Sequence, residues 1–174
     1  MTDVVLSIGS NMGDRLGHLR AVVEGLGPCV GAVSPIFESD PWGGVEQAPF
    51  LNAVVTAAHG GRDAWDWLNW AQQIERSRGR VRDIRWGPRT LDVDLICCFD
   101  EGGEICLGDE RLTLPHPRAD QRAFVLVPWL AADPSARLRV DGAAIAVAEL
   151  LQRLDPADRQ SVRLTDLALP DVQR

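Results

Sequence analysis

Residues 85–95 read Arg-Trp-Gly-Pro-Arg-Thr-Leu-Asp-Val-Asp-Leu, with two acids, Asp92 and Asp94, one residue apart in an apolar run. On a strand, side chains at i and i+2 share a face, so both carboxylates project together, roughly 6–7 Å apart at Cα. Val93 and Leu95 then point to the opposite face, into a core. Two ionised carboxylates on one face repel, and burial sharpens the repulsion. Arginine partners would offset it, and so would a hard divalent cation. Oxygen donors select Mg²⁺, which keeps waters and takes one or two carboxylates together with phosphate oxygens. Two such ions would form a clamp for in-line displacement at phosphorus. A lone Asp-x-Asp is more often simply solvated or salt-bridged. Three neighbours change that here: the arginines upstream, the set His116, Arg118 and Arg122 in LPHPRADQR (114–122), and Trp86, whose face suits a planar ring.

The charge pattern narrows the chemistry. The chain carries a net charge of −7, with 18 arginines and no lysine. Arg76, Arg78, Arg80, Arg82, Arg85 and Arg89 crowd one short window, a local anion site on an acidic protein. Without lysine there is no P-loop lysine, kinase-type lysine or Schiff base. The acidic total argues against nucleic acid and anionic membranes as partners, and so against an RNA-binding module built on the arginine loop. No apolar run reaches membrane-spanning length. The start, MTDVVLSIG, lacks a basic n-region, which predicts a cytoplasmic protein. Four cysteines without metal spacing or CxxC pairs predict buried free thiols.

The elements that must position these residues follow from periodicity. VVLSIG (4–9) predicts a strand, GSNMGD (9–14) a turn, and Asn11 or Asp14 the cap of a helix carrying Leu16, Leu19, Val22, Val23 and Leu26. Gly27-Pro28 ends that helix. Residues 29–38 predict a second strand, 39–49 a long loop, and 50–58 a third strand. Residues 62–77 predict a helix, 79–89 an arginine-rich loop, 90–99 the strand of the paired acids, and 100–104 a hairpin turn. Short extended pieces precede helices at 119–131 and 143–154, and the chain after Pro156 predicts an irregular polar tail. The order β-α-β-β-α-β suits an α+β domain with helices on a mainly antiparallel sheet. Asn52 stands in an apolar strand and needs partners, from the backbone or from a ligand edge. Phe50 and Phe124 suit a core, Trp65, Trp67 and Trp70 suit helix packing, and Trp42 in a glycine-rich loop suits a ligand. The residues alone predict an arginine-rich, Mg²⁺-dependent polyphosphate site beside a hydrophobic loop. They leave kinase, phosphatase and nuclease open.

Taken together, GSNMGDR, FLNAVV, RWGPRTLDVDL and LTLPHPRADQRAFVLVPW, in order from about residue 4 to about 135, resemble the 6-hydroxymethyl-7,8-dihydropterin pyrophosphokinase family. That resemblance implies a ferredoxin-like βαββαβ core in one domain over 1–165, with a polar tail at 166–174. It implies transfer of pyrophosphate from ATP to the hydroxymethyl group of a dihydropterin, releasing AMP, on the route to tetrahydrofolate. It places two Mg²⁺ ions on Asp92 and Asp94 and makes Arg80 and Arg89 catalytic with them. ATP would meet Gln72, Glu75, Arg82, Arg85, Trp86, Arg111, Thr113, His116 and Arg122. The pterin would meet Ser39, Asp40, Trp42, Phe50, Asn52, Trp86 and Phe124. The partners expected are small molecules only, and the chain is expected to be a monomer. Three places depart from the family pattern: a loop one residue shorter with Asp83 in a basic position, Pro117 after the histidine, and the segment 39–46.

Overall fold

The computed structural model describes residues 1–41, 47–79 and 88–170. Strands β1 (Thr2–Ser10), β4 (Phe50–His59) and β5 (Asp92–Asp100) form the middle of a seven-stranded sheet, flanked by β2 (Val30–Val33), β3 (Phe37–Ser39), β6 (Gly103–Glu104) and β11 (Val162–Leu164). The neighbour order is β11-β3-β4-β1-β5-β6, with β2 also on β4, and each pairing is antiparallel. Helices α1 (Arg15–Leu26) and α2 (Ala64–Ser77) cover one face. Helices α3 (Ala123–Ala132) and α4 (Val147–Arg153) cover the other, with the hairpin of β9 (Arg137–Val140) and β10 (Ala143–Ala146). The remaining pieces are the pair β7 (Leu107–Gly108) and β8 (Thr113–Leu114), and the short helix α5 (Pro156–Gln160). The result is a mixed α+β architecture with helices on both faces of the sheet.

Alternation along the strands feeds both cores. Leu6, Ile8 and Leu95 pack under Leu19, Val22, Trp67 and Ala71, while Val54 and Ile96 pack under Val125, Leu126 and Trp129. Each fully buried aliphatic side chain contributes roughly 1.5–3 kcal/mol. The α2 start is fixed by a capping box, Asp63 accepting from the Asp66 N–H and Asp66 accepting in return. Of the two candidate caps for α1, Asp14 takes the role, its carboxylate accepting from the Gly17 N–H at 2.9 Å.

Four expectations change. The single strand over 29–38 divides at Ser34-Pro35, because proline has no N–H for the ladder and the Ser34 hydroxyl takes the Val54 N–H instead. The helix over 119–131 becomes a 3₁₀ turn (Ala119–Gln121) followed by α3, broken at Arg122. Residues 143–146, counted with a helix, pair with β9 as a strand, since Asp141-Gly142 makes a tight turn with positive φ at both positions. The described stretch after Pro156 is not irregular throughout: α5 leads into β11, which joins the sheet edge, and Leu169 rests on the core. Cys97 and Cys98 are buried free thiols as expected, but Cys106 is exposed. Among the described residues no helix is long and apolar enough to cross a membrane.

Candidate active site

Asp92 and Asp94 stand on one face of β5, opposite Gly9 and Ser7 of β1. Val93 and Leu95 enter the α1–α2 core, as alternation predicts. Just beyond, the ladder slips. Leu95 pairs with Leu6 and Cys97 with Val5, leaving Ile96 as the extra residue of a β-bulge. Ile96 and Cys97 consequently both turn to the α3 side. The Ile96 carbonyl accepts from the His116 N–H at 2.8 Å, so the bulge is what seats His116 beside the acids.

Each acid has an arginine. Arg89 donates to Asp92 Oδ2, and Arg122 donates to Asp94 Oδ2 at 3.0 Å. Arg122 is 5 % exposed, and burial lowers its pKa while Asp94 opposes that shift. The guanidinium also lies 5.5 Å from the Phe124 ring centre, a cation–π contact. His116 Nε2 lies 3.9 Å from Asp94 Oδ2. Its Nδ1 accepts from the Arg118 N–H at 3.2 Å, so the neutral ring carries its proton on Nε2, facing the acids. Burial, then Arg122 and Arg118, push its pKa down to about 4. The imidazole is therefore a neutral donor at pH 7.

Two pockets meet at this ridge. One is lined by Gly9, Ser39, Phe50, Asn52, Arg122 and Phe124, among others. The second is lined by Gln72, Glu75, Arg111, Thr113 and His116, among others. Asp94 lines both. In the first pocket Asn52 Nδ2 donates to the Ser39 hydroxyl at 2.7 Å, and its Oδ1 lies over Gly9. A Cβ at Gly9 would sit 3.1 Å from that oxygen and 3.6 Å from Phe50, so glycine keeps the space between them open. In the second, Arg111 rests 5.6 Å over the Trp65 ring, and buried Glu75 accepts from the Val93 N–H at 2.8 Å, fixing the strand between the two acids. Asp40 lines the first pocket but turns its carboxylate to Arg163. Arg80, Arg82, Arg85, Trp86 and Trp42 lie outside the described residues.

Sequence reasoning gave Asn11 only a candidate capping role, which Asp14 fills, and left out Gln47. Asn11 is 5 % exposed. Its Nδ2 donates to Gln47 Oε1 (2.9 Å) and to the Ala48 carbonyl (3.0 Å), and its Oδ1 accepts from the Arg89 N–H (2.7 Å). The backbone N–H of Asn11 donates to the Arg89 carbonyl. One amide thus ties the approach to Phe50 to the arginine that holds Asp92. The available signal was an asparagine directly after a strand that does not cap the following helix. Asn11→Ala is expected to cost about 1–3 kcal/mol, the range for stranding buried hydrogen-bond partners, and to lower kcat/KM roughly ten-fold. Urea unfolding and steady-state rates on one preparation measure both, and an unchanged kcat/KM would leave the amide a merely structural role.

The fold and site define a class first: a mixed α+β domain in which two pockets meet at a pair of carboxylates held by arginines. A model of the 7,8-dihydro-6-hydroxymethylpterin-pyrophosphokinase (HPPK) family matches residues 5–134, and the chain belongs to that family. The Mycobacterium tuberculosis (strain H37Rv) 2-amino-4-hydroxy-6-hydroxymethyldihydropteridine pyrophosphokinase is 56 % identical over 169 residues, spanning 94 % of this chain and 90 % of the relative. The protein of that name from Bacillus subtilis (strain 168) is 42 % identical over 127 residues, 71 % of this chain and 73 % of the relative. Among solved structures, the Plasmodium falciparum HPPK-DHPS wild type with SDX-DHP is similar in fold, with a TM-score of 0.62 at 12 % identity over 87 % of this chain. This chain spans 44 % of the length of that protein.

Proposed function

We propose that the chain transfers the pyrophosphoryl group of ATP to the hydroxymethyl oxygen of 6-hydroxymethyl-7,8-dihydropterin, releasing AMP, in tetrahydrofolate biosynthesis. The observation that carries this reading is the placement of Asp94 between two pockets of different chemistry. The first suits a pterin: a flat ring between Phe50 and Phe124, its polar edge read by Asn52. The second suits ATP, with Gln72, Glu75, Arg111, Thr113 and His116 on its wall, and Arg122, which lines the first pocket, holding the shared Asp94 between them. Arg80, Arg82, Arg85 and Trp86 complete the phosphate side in this reading, and Trp42 and Asp40 the pterin side.

The chemistry is positioning and charge neutralisation. The pterin hydroxyl attacks the β-phosphorus, the bond to the α,β-bridging oxygen breaks, AMP leaves, and the hydroxyl proton passes to solvent. Arg89 and Arg122 hold the two carboxylates in one orientation, and the pocket walls bring the hydroxyl into line. The donor set fits magnesium: two hard oxygen groups on one strand face, between the pockets, where phosphate oxygens would complete the shell. Asp92 and Asp94 would hold two Mg²⁺ ions, and when bound these supply neutralisation of the triphosphate charge. Among the described residues no group of three or more His, Cys, Asp or Glu could hold a metal ion.

A finer fold reading belongs to the same proposal: a ferredoxin-like βαββαβ core, supported by the neighbour order β3-β4-β1-β5. Residues 1–165 form one pyrophosphokinase domain with 166–174 as its tail. The chain works in the cytoplasm as a monomer on small molecules, with no nucleic acid or membrane, in keeping with its net charge of −7. The deciding experiment supplies ATP, Mg²⁺ and the hydroxymethyl-dihydropterin, and identifies the nucleotide formed. AMP that requires the pterin is expected. ADP, or phosphate release without pterin, would point to a different phosphoryl transfer or a hydrolase.

A further inference from the structure

The wall of the first pocket is braced by the strand at the edge of the sheet. Strand β11 pairs with β3 in the register Val162↔Ser39, Arg163↔Glu38 and Leu164↔Phe37, and β3 pairs with β4 so that Ser39 faces Phe50 and Phe37 faces Asn52. At the end of β3 the Asp40 N–H donates to the Ser161 carbonyl at 3.4 Å. Arg163 then closes on the Asp40 carboxylate with both terminal nitrogens, Nη2 at 2.9 Å and Nη1 at 3.4 Å. Below this contact, Thr165 donates both its N–H and its hydroxyl to the Ile36 carbonyl. Inward from it, buried Ser39 accepts from Asn52 Nδ2, fixing which way that amide faces.

On the other side of β3, Arg15 bonds Glu38 at 3.0 Å and the Pro49 carbonyl at 2.8 Å, beside Phe50. Strand β3 is therefore gripped by arginines at 15 and 163, each against an acid of the Glu38–Asp40 stretch. Arg163 is 123 residues from Asp40 in sequence and lies in a segment that polar composition predicts to be irregular. The grip has no visible task in the core. Its side chains are 49 % and 57 % exposed, and exposed pairs add little to stability. What it does hold is the turn out of β3, where Ser39 and Asp40 enter the pocket lining.

We propose that Arg163 is a positioning residue for the pterin: β11 braces β3, and through Ser39 and Asn52 it sets the edge that reads the ring. The proposal rests on the pterin reading of that pocket. Arg163→Met, which keeps the apolar stem and removes the charge, is expected to raise the pterin KM and the calorimetric Kd about three-fold, the scale of one exposed ion pair. The KM for ATP, kcat and the melting temperature should stay at wild-type values. Because the pair is exposed, the difference should shrink in 0.5 M salt, which a packing defect would not do. Asp40→Arg should weaken the pterin further by setting like charges together, and adding Arg163→Asp should recover part of the loss, the rest remaining because position 40 itself lines the pocket. An unchanged pterin KM in Arg163→Met, equal losses for pterin and ATP, or no recovery in the double variant would overturn the proposal. A wild-type protein that fails to bind the pterin would instead overturn the reading of the pocket, and the proposal with it.

Discussion

Replacing Asp94 with alanine is expected to lower kcat by at least ~10²-fold at saturating ATP and pterin, the usual scale for removing one charge-stabilising group. Asp94 lines both pockets, so in the proposed reading each substrate reaches the reaction beside it. It also receives Arg122, whose side chain is only 6 % exposed, and the Nε2 side of His116 faces it. Alanine leaves that buried guanidinium without its carboxylate, which can cost up to roughly 3–5 kcal/mol and would confound a loss of rate with a loss of fold. Asp94→Asn separates the two effects. The amide oxygen still accepts from Arg122, so the melting temperature should hold, while the negative charge is gone. Both variants should therefore lose turnover, with Asp94→Asn retaining the wild-type circular dichroism melt. Turnover near the wild-type rate in folded Asp94→Asn would remove the carboxylate charge from the mechanism.

The strand that carries Asp94 also shows where sequence reading works and where it stops. Period-two alternation puts Asp92 and Asp94 on one face and Val93 and Leu95 on the other, and the structure agrees. The same alternation places Ile96 and Cys97 on opposite faces, which the bulge overturns. A bulge has no signature in an apolar run such as Leu-Ile-Cys-Cys, because the extra residue is accommodated by cross-strand pairing rather than by its own type. It is nonetheless what offers the Ile96 carbonyl to His116. Asn11 was misread for a related reason. Its partners are 36 to 78 residues away, and a turn asparagine reads locally as a cap. The tail failed differently: polar composition after Pro156 looks irregular, yet Val162–Leu164 needs only an open edge at β3 to become a strand. Local pattern sufficed for elements whose faces are decided by burial. It failed where a distant strand edge or carbonyl decides.

Metal-free wild-type protein is expected to lose about 2–3 kcal/mol more stability between pH 7 and pH 4.5 than His116→Asn does. Burial, reinforced by Arg122 and Arg118 and partly opposed by Asp92, holds the folded-state pKa of His116 at about 4, against an ordinary value of 6.5. Below 6.5 the unfolded chain takes up a proton that the folded chain refuses until about pH 4. Stability therefore falls with pH across that window and is fully restored above 6.5. At 1.36 kcal/mol per pKa unit the whole window is worth about 3 kcal/mol, an upper figure because 17 % of the side chain is open to water. His18, also lowered by burial, adds to the slope in both proteins and cancels in the comparison. Urea unfolding in EDTA at the two pH values measures the difference, and parallel losses in the two proteins would mean that His116 is not desolvated. In the proposed reading, ATP binding draws on the same shift. A ring that refuses its second proton keeps a single N–H on Nε2 from pH 5 to 7, so it can donate toward phosphate without adding a charge that would compete with Arg122 for Asp94.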